Sequence, residues 1–180
     1  MHAKIKIKIY NLMKKILLIC VFLPFFSGCE KDDICDANTP TTPRLVIEFY
    51  DNLTALPTRK NVVNLGIIAP ELTTGIAYTG VNKIFVPLKI NGDTTVFNFI
   101  QNGATNPTTD DNTDVLTFNY ERKSLYVSRA CGFKTNFSLN QTNGIVKTEG
   151  ALADGFWIQN IQIVKSEIDN EKDIHVKIFF

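Results

Sequence analysis

At 180 residues the chain has the length of one domain, and a hydrophobic fraction of 44% with 13 Phe excludes disorder by composition. Its 19 Lys+Arg and 18 Asp+Glu are segregated: residues 1–28 hold five lysines (Lys4, Lys6, Lys8, Lys14, Lys15) and no acid. Taking those five away leaves 14 basic against 18 acidic side chains, a formal charge of −4 that gives no electrostatic reason to expect nucleic acid.

The N-terminal segment comes first in the chain. Lys14 and Lys15 precede ILLICVFLPFF, Ile16–Phe26, an apolar run of 11 residues. A bilayer span takes about 20, so the run is too short for an ordinary transmembrane helix. A basic start, a short apolar stretch and small residues at its end form a secretory signal over residues 1–28. Pro24 and the charge burst that follows argue against a buried core helix. MKKILLIC from Met13 is already a complete signal start, so translation is predicted to begin at Met13. N-terminal peptides of the unprocessed precursor covering residues 1–12 would refute that start.

The signal ends in F-S-G-C, which resembles the lipobox of bacterial lipoproteins, with Phe26 where Leu is commonest. The resemblance implies cleavage before Cys29, a thioether-linked diacylglycerol on its sulfur and a further acyl chain such as palmitate. Two or more chains, at about 0.8 kcal/mol per buried CH₂, hold a protein stably on a membrane. Glu30, Lys31, Asp32 and Asp33 follow, and a charge run of this kind reads as a solvated tether. The same cluster resembles the surface-export signal of Bacteroidota-type lipoproteins. That implies an outer-membrane location, with the cell surface favoured over the periplasmic face. The tether runs over residues 29–43, ending in DANTPTTP, and residues 44–180 form the domain.

RLVIEFYD opens the fold with Leu45, Ile47 and Phe49 on one face and Val46, Glu48 and Tyr50 on the other, the period of a strand. NGD at Asn91–Asp93 reads as a hairpin loop between KIFVPLKI and TTVFNFI. Phe97 and Phe99 share a face, as do Leu116, Phe118 and Tyr120. Gln101–Asp114 is the longest polar segment and is expected to be a mobile loop. In FKTNFSLN, Phe133, Phe137 and Leu139 are expected to face inward. Further turns fall at Thr142–Gly144 and Asp169–Asp173. WIQNIQIVKSEI has helical spacing at Trp157, Ile161, Val164 and Ile168, yet its isoleucines and the alternating IHVKIFF after it favour strands. Ile174, Val176, Ile178 and Phe180 form the inward face of the last strand, which puts His175 on its wet face. The pattern predicts an all-β fold: a single antiparallel β-sandwich of about seven to nine strands after the lipoprotein signal peptide.

Two cysteines, Cys35 and Cys131, remain beyond the signal and the anchor, and an exported protein meets oxidising conditions, so a disulfide between them is predicted. The mature chain has one histidine and no CxxC pair, so no metal or other cofactor is expected. Asp110, Asn112, Asp114 and Glu121 occupy four positions of a calcium-loop template, but Val115 stands where Gly is needed, and an acidic turn is the reading. Trp157, Tyr78 and Tyr126 are candidate glycan contacts, since their rings stack on a sugar's apolar face. Asp93–Thr95 resembles a bacterial Asp-Thr-Xaa acceptor, which implies O-glycosylation at Thr94.

CEKDDIC, TPRLVIEFYD and CGFKTNF together resemble an uncharacterised family of small Bacteroidota-type lipoproteins. That resemblance implies an address and a compact domain of unknown function and transfers no functional residues. The sequence reads as a non-enzymatic binding or assembly module, held on the membrane by its lipid and contacting an envelope protein partner or a glycan. The alternatives are a carboxylate-based hydrolase acting on glycans, acids being the only plentiful catalytic groups, and a structural spacer.

Overall fold

The computed structural model describes residues 14–15, 34–103 and 110–180. Cys29 and Glu30, Lys31, Asp32 and Asp33, which carry the anchor and export expectations, lie outside the described residues. So does the signal segment apart from Lys14 and Lys15. The chain divides into two compact units, Met1–Thr39 with Ser128–Gly132 and Pro40–Val127 with Phe133–Phe180.

In the first unit Cys35 and Cys131 form the predicted disulfide across 96 positions, with Cα atoms 5.0 Å apart. The turn that carries Cys131 is closed by its N–H, which donates to Ser128 Oγ at 3.0 Å. Gly132 then takes φ 68°, a left-handed conformation that strains any side-chain-bearing L residue.

The second unit holds eleven strands: β1 (Leu45–Tyr50), β2 (Leu65–Ile68), β3 (Ile76–Tyr78), β4 (Lys83–Val86), β5 (Thr94–Gln101), β6 (Asn112–Ser128), β7 (Gly132–Leu139), β8 (Ile145–Glu149), β9 (Asn160–Ile163), β10 (Glu167–Ile168) and β11 (Val176–Phe179), the ends of β6 and β7 belonging to the first. No described residue from 34 onward is in an α-helix. Four strands form one sheet in the order β4-β1-β11-β9, and seven form another in the order β10-β7-β6-β5-β2-β3, with β8 on β6. The two pack as a sandwich. Leu45, Ile47 and Phe49 of β1 share the core with Phe99, Leu116, Phe118 and Tyr120 of the other sheet.

The all-β sandwich agrees with the sequence, and the window at Trp157–Ile168 carries the short strands β9 and β10, not a helix. Other expectations are corrected. The described residues hold eleven strands against the expected seven to nine, because pieces as short as β3 and β10 leave no alternation to read. One pairing is parallel: β1 lies beside β11, Ile47 opposite Val176, so the first and last strands are neighbours within one sheet. Asn91–Asp93 is no hairpin, since it connects β4 in one sheet to β5 in the other; Pro87, which lacks an N–H, follows the last residue of β4. The polar segment Gln101–Asp114 is strand at both ends, and residues 104–109 lie outside the described residues. Asp114 belongs to β6 and is fully buried, so the acidic-turn reading fails there.

His175 is also buried, not wet. Its Nδ1 accepts the Val46 N–H at 3.0 Å, so the ring meets a need of the β1 backbone. β1 itself is buried on both faces. Its Glu48 pairs with Lys83 at 2.9 Å and Arg59 at 3.2 Å and accepts the Tyr50 hydroxyl at 2.8 Å. Burial pushes this carboxyl up, but the Lys83 ammonium and the Tyr50 hydroxyl outweigh it and hold it below its ordinary value.

Candidate binding groove

β6 runs for 17 residues, and its two halves differ. From Asn112 to Asn119 it pairs with β5 on one side, and over Asp114–Phe118 with β8 on the other. Asp114, Leu116, Phe118 and Tyr120 are buried. From Glu121 onward β6 carries mostly exposed residues, and β7 is its neighbour in the sheet order. This part of β6 with β7 forms an arm. Arg122, Ser124 and Tyr126 alternate onto one of its faces, as Phe133 and Thr135 do on β7.

A groove of about 590 Å³ opens at the base of that face, lined by Ile90, Asp93, Glu121, Arg122, Ser124 and Thr135. Its floor is fixed by hydrogen bonds between β6 and the β4–β5 crossing. Arg122 Nε donates to Asp93 Oδ1 and its Nη1 to the Ile90 carbonyl, each at 2.6 Å. The Tyr120 hydroxyl, 2.6 Å from Thr95 Oγ1, donates to the Lys89 carbonyl at 2.8 Å. The Thr135 N–H is held by Thr42 Oγ1 at 2.9 Å. Ser124, Thr135 and Glu121 line the groove, and their side chains have no hydrogen-bond partner among the described residues. Hydroxyl, carboxylate and guanidinium groups on a fixed backbone suit a ligand rich in hydroxyls or amides.

A second groove, about 360 Å³, shares Glu121 and Arg122 and adds Glu167 and Asp169. Glu167 accepts the Ser138 hydroxyl at 2.7 Å, and Asp169 accepts Lys165 Nζ at 2.7 Å. That ammonium holds the Asp169 carboxyl below its usual value, the wrong direction for a general acid at neutral pH. Burial raises the carboxyls of Asp111 and Asp114, the latter to about 6. Asp114 Oδ2 accepts the Ile158 N–H at 2.8 Å, and the Asp114 side chain lines neither groove. Lys147 donates to the Ile158 carbonyl from β8 and lies 4.0 Å from the Phe156 ring centroid. Among the described residues no three His, Cys, Asp or Glu side chains are grouped to hold a metal ion.

The three aromatic candidates separate. Trp157 is buried and cannot offer a ring face: its Nε1 donates to the Phe99 carbonyl at 2.9 Å, and its ring stands edge-on to Phe180. Tyr78 is half-buried in β3 and packs against the core. Tyr126 is 63% exposed. Phe133, expected to face inward, is 68% exposed and meets Tyr126 edge-to-face at 5.4 Å, because the buried stretch of β7 begins only at Phe137. Thr94 is exposed at the start of β5 with its hydroxyl donating to Asn119 Oδ1 at 3.0 Å. Sequence reasoning missed the groove because it stopped β6 at Tyr120. The alternation of Arg122, Ser124 and Tyr126 was the available signal.

Fold and groove together define an all-β sandwich protein with an exposed two-stranded arm. Residues 65–180 match the family described as Family of unknown function (DUF6452), and the chain belongs to it. The matched stretch includes CGFKTNF, whereas CEKDDIC and TPRLVIEFYD precede it. No curated protein and no solved structure matches the chain.

Proposed function

We propose that the mature chain is a lipid-anchored envelope protein of the outer membrane, displayed at the cell surface, that binds a glycan in the groove at the base of the β6–β7 arm. The anchor is the acylated Cys29, and Glu30–Asp33 form a solvated tether beside it. The observation that carries the binding reading is the groove itself: about 590 Å³, lined by Ser124 and Thr135, on a floor fixed by Arg122 and Tyr120. Binding is preferred to turnover: Asp114, the carboxyl that burial raises to about 6, is itself buried and engaged by the Ile158 N–H.

The test uses full-length protein made with its own leader and purified in detergent. Intact-mass and peptide spectra should show a diacylglyceryl adduct on Cys29 that Cys29→Ala abolishes. On an array of envelope glycans, binding should weaken about three- to tenfold in Ser124→Ala and again in Thr135→Ala, one neutral hydrogen bond each. An unacylated Cys29 overturns the anchor. A blank array, or binding indifferent to both substitutions, overturns the groove.

A further inference from the structure

We propose that the distal end of the β6–β7 arm is a membrane foot: the rings of Tyr126 and Phe133 rest in the headgroup region of the bilayer that holds the anchor. This rests on the lipid anchor proposed above at Cys29.

The rings are 63% and 68% exposed, and their edge-to-face contact covers only one side of the pair. Tyrosine with its apolar body and polar tip, beside a phenyl ring, suits an interface that is greasy below and wet above. What selects a lipid surface as the occupant is the length of chain between the anchor and the first fixed point. Cys29 precedes Cys35 by six positions, a span of at most about 20 Å when fully extended. The disulfide passes that attachment to Cys131, two residues before Phe133 and five after Tyr126. Without the bridge, the first strand residue would be Leu45, sixteen positions from Cys29 and up to about 55 Å of chain away. The bridge therefore moves the point at which the lipid holds the domain from β1 to the arm.

The short path carries one large apolar residue, Ile34, 81% exposed. On the arm's opposite face, Lys134, next to Phe133, offers an ammonium group to lipid phosphates near the same end. The groove lies further along the arm at Ser124 and Arg122, leaving it open to a ligand above the lipid.

The experiment places a tryptophan at the foot in the processed lipoprotein, reconstituted into phosphatidylcholine–phosphatidylethanolamine vesicles with and without lipids brominated near the headgroup. Tyr126→Trp and Phe133→Trp are two independent probes at exposed positions. Leu152→Trp, at a residue 73% exposed, is the reference, and the wild type supplies the background of Trp157. Both probes should emit at shorter wavelength in vesicles than in detergent-free glycan buffer, and brominated lipid should quench them while leaving the reference unchanged. Equal quenching at probe and reference, with the acyl mass on Cys29 confirmed, overturns the foot and leaves the anchor standing. Absence of the acyl mass overturns the anchor and with it the foot. Protection of the probes by a soluble glycan in place of lipid assigns the rings to ligand and overturns the foot.

Discussion

The two halves of β6 share one strand and almost nothing else. From Asn112 to Tyr120 the strand is flanked by β5 and β8, and every second side chain is removed from water. From Glu121 to Ser128 its side chains are exposed or half-buried. The first half owes its order to packing, and Phe118 alone meets Phe99 at 6.3 Å within the core. The second half has little apolar burial to hold it, and the Cys35–Cys131 disulfide lies at its end. One half is built for stability; the other presents the groove and the exposed rings.

The largest effect should come from the bridge. A closed loop of 96 positions restricts the unfolded chain by about 4–5 kcal/mol in the loop-entropy account. Reduction by dithiothreitol should therefore lower the urea midpoint sharply. A midpoint unchanged on reduction would mean the exposed half stands without its covalent support.

Packing comes next. Phe118→Ala should cost about 3–5 kcal/mol through the cavity it leaves, whereas Phe133→Ala should stay within about 0.5 kcal/mol. Similar urea midpoints for the two variants would erase the contrast between the halves.

The pH dependence sharpens the contrast from within the buried half. Asp114, raised from 3.8 to about 6, binds its proton more tightly folded than unfolded. Its contribution is full below 3.8 and declines as pH rises through about 6, by about 3 kcal/mol in total. His175 has the opposite sign. Burial lowers its value from 6.5, so its contribution is present above 6.5 and is lost as pH falls, when protonation would end the bond from Val46. Asp114→Asn keeps a carbonyl for the Ile158 N–H and removes the first slope. Urea midpoints of that variant should rise with pH between about 4 and 7, unmasking His175. A variant whose midpoints still fall with pH would place the shifted carboxyl elsewhere.

How much of this was legible follows the same division. Leu116, Phe118 and Tyr120 alternate with polar residues, so the buried half and the sandwich class could be read from periodicity. The exposed half could not, because a strand with polar groups on both faces has no apolar period. Phe133 looked like core only because Phe137 and Leu139 continue its spacing. His175 and Trp157 were misplaced for a different reason: long-range backbone partners, Val46 and the Phe99 carbonyl, took their polar atoms inside. Sequence spacing carries no trace of such partners. Cysteine count and the expectation of export, by contrast, were enough for the bridge.

The smallest effect tests whether the arm's base is a fixed groove at all. Arg122 bonds Asp93 through Nε and the Ile90 carbonyl through Nη1 at once, a two-pronged geometry. Its side chain is 32% exposed and that of Asp93 68%, so solvent screens the charge and the pair contributes little as an ion pair. Arg122→Ala should therefore lower stability by only about 1 kcal/mol. Lysine restores the charge but has one nitrogen in place of the fork, so Arg122→Lys should recover stability partly and glycan binding hardly at all. Full recovery of binding by lysine would show that the groove needs only a positive charge. Loss of binding restored by neither charge nor stability locates the function in the geometry that Arg122 imposes on Ile90 and Asp93.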